Sequence, residues 1–129
     1  VYLSVHRSNK FIVNGSYTEA SVTVFTANDD GSLNPYTQLL KFSDSSIIKG
    51  RQDEAHVHSA VFSPANDYLF LPDLGADKIR IFKFDASQAG PLKHKEDHKS
   101  VPGSGPRHFT WKRTEAFYLP PEPAIRLLH

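Results

Sequence analysis

Apolar residues along this chain come in short bursts of β-branched and aromatic side chains, and none recurs at the three-to-four-residue spacing of an amphipathic helix. Phe11-Ile12-Val13, Val22-Thr23-Val24-Phe25, Ala60-Val61-Phe62, Tyr68-Leu69-Phe70-Leu71 and Ile79-Arg80-Ile81-Phe82-Lys83-Phe84 are the clearest bursts, set apart by Gly, Pro, Asn, Asp and Ser. Such runs predict strands, and their number predicts an all-β fold. Alternation within Ile79–Phe84 places successive side chains on opposite faces of a sheet. Asn28-Asp29-Asp30-Gly31-Ser32 predicts a tight turn, because Gly31 can take positive φ after Asp and Asn.

The bursts repeat. At an offset of 57 residues Val5 falls on Phe62, Asn9 on Asn66, Phe11-Ile12-Val13 on Tyr68-Leu69-Phe70, and Val22–Phe25 on Ile79–Phe82, without a gap. A third unit begins at His108-Phe109-Thr110-Trp111 and runs through Ala116–Leu119. Units of this size made of short antiparallel strands are the signature of β-propeller blades, although a single sandwich is the competing account. The expected units are roughly 1–40, 56–92 and 107–129, with four-stranded antiparallel sheets as the full blade and Ala60–Phe62, Tyr68–Leu71 and Ile79–Phe84 as neighbours in one of them. The charged stretch Lys93–Lys99, with His94 and His98, reads as a solvated outer connection. At about 40–50 residues per blade the chain holds about two full blades and part of a third, so the expected architecture is a fragment of a β-propeller.

Composition narrows the function. The 129 residues suffice for one domain; 15 Lys and Arg against 14 Asp and Glu leave a net charge of +1, which offers no basic field to nucleic acid. No apolar run approaches the roughly 18 residues of a membrane span. With no Cys, thiolate metal sites and cysteine nucleophiles are excluded. The chain also lacks Met, and its opening Val1-Tyr2-Leu3-Ser4-Val5 reads like the interior of a strand, so a piece of a longer protein is expected.

Three segments carry candidate chemistry. His56 and His58 are spaced i, i+2, so on a strand both point to one face. One of them can serve as a general base or as a substrate hydrogen-bond partner near neutral pH; two imidazoles could share a zinc, but no third ligand is apparent; backbone-satisfied strand-edge histidines are the plain alternative. Gly103-Ser104-Gly105-Pro106-Arg107-His108 is a glycine-rich loop whose N–H groups can approach an anion and whose Arg107 offers a forked donor. It is not a P-loop, and an ordinary connector with an exposed arginine is its other reading. In Pro72-Asp73-Leu74-Gly75-Ala76-Asp77, carboxylates at a strand end commonly serve turn hydrogen bonds, which is expected of Asp77, while Asp73 is open between that role and a site role.

Taken in order, Ala55-His56-Val57-His58, Pro72-Asp73-Leu74-Gly75-Ala76-Asp77 and Gly103-Ser104-Gly105-Pro106-Arg107-His108 resemble the lactonase-type seven-bladed propeller family, which includes the propeller form of 6-phosphogluconolactonase and, as a relative, carboxymuconate cyclase. The resemblance runs to about Glu122. It implies a cytoplasmic enzyme that hydrolyses 6-phospho-D-glucono-1,5-lactone to 6-phosphogluconate, needs no metal or organic cofactor, and has a phosphorylated sugar lactone as its partner rather than nucleic acid or membrane. His58, Arg107 and Glu122 are then the expected catalytic residues, with His56, Asp73 and His108 binding or orienting substrate. A lactonising enzyme of the cyclase type is the alternative within the family, and a non-catalytic binding scaffold is the alternative outside it. The chain departs from the family pattern at Ala55, where a proline is usual, and at Pro120-Pro121-Glu122. The tail 123–129 is expected to abandon the strand pattern altogether.

Overall fold

The computed structural model describes residues 1–112, 115–118 and 125–128, with side chains as far as Trp111. Strands β1 (Tyr2–Val5), β2 (Phe11–Ser16), β3 (Ser21–Thr26) and β4 (Gln38–Lys41) form one antiparallel sheet in chain order. Strands β5 (Val61–Phe62), β6 (Tyr68–Asp73), β7 (Lys78–Phe84) and β8 (Leu92–Lys99) form a second of the same design. Strands β9 (Phe109–Lys112), β10 (Glu115–Tyr118) and β11 (Ile125–Leu128) begin a third. The expected trio of neighbouring strands is β5, β6 and β7.

The 57-residue offset survives in the backbone. It carries Phe11–Ser16 onto Tyr68–Asp73 and Ser21–Thr26 onto the first six residues of β7. Left-handed residues recur at the same places, Asn9 and Asn66 at φ 60° and 59°, and Ala20 and Asp77 at φ 50° and 51°. In the first turn of each unit the N–H of that asparagine donates three residues back, Asn9 to His6 at 2.8 Å and Asn66 to Ser63 at 2.8 Å.

Packing explains the two kinds of apolar pattern. On β2, Phe11 and Val13 are buried in alternation with half-buried neighbours, so this strand is covered on one face. The second sheet is covered on both. Leu69, Leu71, Phe82 and Phe84 pack on Val13, Val22 and Val24 of the first sheet. Phe70, Ile79 and Ile81 pack on Phe109 and Trp111 of the third. Strands buried on both faces read as continuous apolar runs, which is what Tyr68–Leu71 is. Each fully buried side chain of this size contributes about 1.5–3 kcal/mol, so the interfaces between sheets are the main source of stability. Polar latches fix their register. The Gln38 side-chain amide donates to the Leu92 carbonyl at 2.9 Å and accepts the Leu92 N–H at 2.8 Å, and the Arg7 N–H donates to Asn66 Oδ1 at 2.8 Å.

Two expectations are corrected. Leu92–Lys99 is not a loose connection but the fourth strand of the second sheet, paired with β7 through a bulge between Ile81 and Phe82. Its polar residues are largely exposed, so the strand has no apolar alternation to give it away, and charge along an outer edge discourages pairing with other chains. The tail does not abandon the strand pattern either: Ile125–Leu128 pairs with β10. Glu122 lies outside the described residues.

Candidate active site

His56-Val57-His58 runs extended beside the end of β6. The His58 N–H donates to the Pro72 carbonyl, and the Leu74 N–H to the His56 carbonyl, both at 2.9 Å. Val57, bridged to Asp73 and 1% exposed, points into the core behind. Alternation then turns both histidines outward to a shared cleft of about 610 Å³. Tyr17, Arg51, Glu54 and Arg107 border the same cleft.

His56 stacks on Tyr17, with centroids 4.2 Å apart and planes 10° from parallel, and its Nδ1 donates to the Tyr17 carbonyl at 3.0 Å. A carbonyl only accepts, so Nδ1 carries a proton. His58 is set differently. Arg107 Nε donates to His58 Nε2 at 3.2 Å, and His108 meets the His58 ring edge-on at 4.8 Å. The donor into Nε2 places the His58 proton on Nδ1, a buried atom. Desolvation first, then the charges of Arg107 and His108, push the His58 pKa below its ordinary value. His58 is therefore neutral near pH 7, with a basic lone pair at the cleft.

Arg107 is held from two sides. Its carbonyl accepts from Ser59 Oγ at 2.9 Å, and its Nε is committed to His58. Among the described residues no carboxylate pairs with it, so the terminal amines remain open to a ligand. The glycine-rich loop before it does bind an anion, but that anion is the protein's own. Gly103 N–H donates to Asp77 Oδ2 at 2.6 Å and Gly105 N–H to Asp77 Oδ1 at 2.8 Å. Gly103 and Gly105 take φ of 86° and 57°, which side-chain-bearing residues rarely adopt. The loop shapes the approach of Arg107; its Gly103 and Gly105 N–H groups are taken by Asp77.

Asp73 lies beneath the cleft and not in it. It is 0% exposed, and its carboxylate accepts the His56 N–H at 2.8 Å, the Ala76 N–H at 3.0 Å and Arg80 Nη2 at 2.9 Å. Arg80 in turn bonds Asp44 at 2.8 Å and lies 4.0 Å over the Phe42 ring. Asp73 thus fixes the His56 backbone from behind. Gly75 allows this fold-back: a Cβ there would lie 1.9 Å from the Glu54 carbonyl oxygen. His108 is exposed and touches the site through His58. Among the described residues no group of three His, Cys, Asp or Glu side chains is gathered as a metal would require.

Sequence reasoning missed Tyr17, Arg51 and Glu54. Tyr17 carried a signal, since the 57-residue offset lays it on Leu74, another residue of the same cleft. Arg51 and Glu54 sit in the segment between the first two sheets, where no periodicity marks them.

The family model described as Lactonase, 7-bladed beta-propeller matches residues 1–123. A protein of Formosa agariphila named 6-phosphogluconolactonase is 42% identical over 112 residues, which are 85% of this chain and 32% of that protein. One of Bacillus subtilis with the same name is 32% identical over 116 residues, 90% of this chain and 32% of its own. Among solved structures, a periplasmic gluconolactonase of Pseudomonas aeruginosa is 35% identical and superimposes with a TM-score of 0.83 over 92% of this chain and 34% of that one. The chain spans about a third of the length of the curated relatives it matches. Blade-by-blade repetition, a histidine–arginine pair at the cleft and a family match over nearly every residue agree: the chain belongs to the lactonase family of seven-bladed β-propellers, of which it supplies a fragment.

Proposed function

We propose that the complete propeller hydrolyses 6-phospho-D-glucono-1,5-lactone to 6-phosphogluconate at this cleft. The observation that carries the reading is the 3.2 Å bond from Arg107 to His58 Nε2, which joins a neutral base to a fixed cation across two blades. A lactone is an activated ester, so the enzyme must orient a water, take its proton and stabilise the oxyanion. Water displaces Arg107 Nε from the His58 lone pair and gives its proton to Nε2 as its oxygen adds to the lactone carbonyl. The Arg107 amines hold the negative oxygen that forms. When the tetrahedral intermediate collapses, the ring C–O bond breaks and His58 returns the proton to the departing oxygen, which becomes the sugar hydroxyl. Glu122 is the other residue proposed for proton removal, and His56 and His108 orient the ligand and His58. Asp73 acts through the backbone of His56.

Convergence of the two motifs on one cleft argues against a non-catalytic scaffold. A second reading, hydrolysis of the unphosphorylated gluconolactone, draws support from the likeness to the Pseudomonas gluconolactonase. The phosphorylated reading carries a cytoplasmic location with it, because a sugar phosphate does not cross membranes unaided. Among the described residues no helix is long and apolar enough to span one. The test is lactone hydrolysis by the complete propeller against His58→Gln: loss of a general base lowers kcat by about 10²–10⁴. Equal turnover by both would end the assignment of His58.

A further inference from the structure

Both guanidinium groups on the cleft rim are free of carboxylate partners among the described residues, and both are exposed. Arg107 follows the loop Gly103–Pro106. Arg51 sits in a separate turn over Ile48–Asp53, where Gln52 N–H donates to the Ile48 carbonyl at 2.7 Å and Gly50 N–H to Asp53 Oδ2 at 2.9 Å. These two segments are far apart in the chain, yet one carboxylate secures both. Asp77 Oδ1 accepts Gln52 Nε2 at 2.7 Å together with the Gly105 N–H, and Asp77 Oδ2 accepts Ser46 Oγ together with the Gly103 N–H. Gln52, beside Arg51, is 1% exposed, and its amide also donates to the Leu74 carbonyl at 2.9 Å and accepts the Ile48 N–H at 3.1 Å.

The repeat gives an independent reason to see more than turn chemistry in Asp77. Its equivalent in the first unit is Ala20, with the same left-handed backbone at φ 50°. Both carbonyls accept from the outer part of their sheet, Ala20 from Phe42 N–H at 2.8 Å and Asp77 from Ser100 N–H at 2.9 Å. Alanine therefore satisfies this backbone position, and the carboxylate of Asp77 is there for what it binds. Burial raises its pKa, but the hydrogen bonds from Ser46, Gly103, Gly105 and Gln52 outweigh burial and hold it below the ordinary range, so it is ionised at neutral pH. Glu54 shares the rim.

We propose that Arg51 and Arg107 grip one polyhydroxylated anion at two points, and that Asp77 is the positioning residue that sets the distance between them. The proposal deepens the lactonase reading and rests on it for the identity of the ligand: Arg107 serves the reacting carbonyl, and Arg51 serves the phosphate. The cleft then distinguishes phosphorylated from plain lactones by Arg51, a residue on a loop with no part in the proton transfer.

The experiment is calorimetric titration of inorganic phosphate into the complete propeller, beside lactone kinetics on the phosphorylated and unphosphorylated substrates. Loss of one charge-assisted contact corresponds to about tenfold or more in affinity. Arg51→Ala should weaken phosphate by about that factor and lower the phosphorylated-to-unphosphorylated ratio of kcat/KM equally, with Arg51→Lys between the two. Asp77→Asn, measured at a temperature where it is folded, should weaken phosphate about tenfold, whereas a purely structural aspartate would lower the melting temperature and leave that affinity alone. If Asp77→Asn does not fold, Ser46→Ala decides, because it removes one donor to the same carboxylate and should weaken phosphate roughly threefold. Undiminished phosphate affinity in Arg51→Ala overturns the two-point grip, and undiminished affinity in the folded Asp77 or Ser46 variant overturns the positioning role. The titration needs no turnover. A propeller that binds phosphate through Arg51 but opens no lactone would sink the lactonase reading and leave the grip standing.

Discussion

A guanidinium nitrogen 3.2 Å from His58 Nε2 keeps the proton off that nitrogen, and desolvation works in the same direction. Both effects have measurable consequences. Lactone hydrolysis should hold below the ordinary histidine value of 6.5 and fall only as pH drops through the lowered His58 value, because protonated His58 cannot act as a base. Stability should follow. A histidine whose folded pKa lies below its unfolded value binds fewer protons when folded, so its contribution is intact above about 6.5 and is lost as pH falls from there through the folded value. His98, also lowered by desolvation, adds to the same slope. Urea unfolding of the complete propeller between pH 7.5 and 5 should show this, and His58→Gln or His98→Gln should each flatten the slope; an unchanged slope in both would contradict the assignment. Arg107→Lys keeps the charge but loses the planar fork, and kcat/KM should drop by roughly tenfold to a hundredfold. Arg107→Ala should cost more, with a shift in stability below about 1 kcal/mol because the side chain is exposed. Unaltered kinetics with a lowered melting temperature would make Arg107 a connector.

Strands differ in how plainly their sequence declares them. β6 and β7 lie between two neighbouring sheets, so Tyr68–Leu71 and Ile79–Phe84 had to be apolar and were legible. β8 forms an outer edge, and nothing in its packing required an apolar face, so Lys93–Lys99 read as a loop. The site divides in the same way. His56, His58 and Arg107 stand in recognisable strings of residues, and the alternation rule turned both histidines to one face. Arg51, Glu54 and the reach of Asp77 depend on loops that meet only after folding; Asp77 and Gly103 are 26 positions apart, and no local pattern reports such a meeting. Gly75 gives this scale its own test. Its missing Cβ is the space through which the Glu54 carbonyl passes, at 1.9 Å. Gly75→Ala should force the 54–58 segment off β6 and lower stability by about 3 kcal/mol in chemical denaturation. A tolerated alanine would mean that the two segments are not held as described.

At the scale of the molecule, sheets stacked in a row leave the two ends of the row uncovered. Val1, Leu3 and Val5 are 89%, 64% and 55% exposed at the start of the first sheet. Unpaired edges and open apolar surface invite association. The isolated chain should therefore be aggregation-prone and melt with poor cooperativity, whereas a sharp two-state transition of a monodisperse monomer would show that the fragment is self-sufficient. Ring closure also places a demand on Gln38. Its amide matches both polar groups of the Leu92 backbone at 2.9 and 2.8 Å, and so fixes the outer edge of one blade against the next. In a seven-bladed ring each joint must turn by about a seventh of a circle, and a consistent error of roughly 3° at every joint opens a gap of about 20° at the seam. Seen as a hinge stop, Gln38 is an element of angular tolerance: it limits the error that its own joint can pass on to the seam.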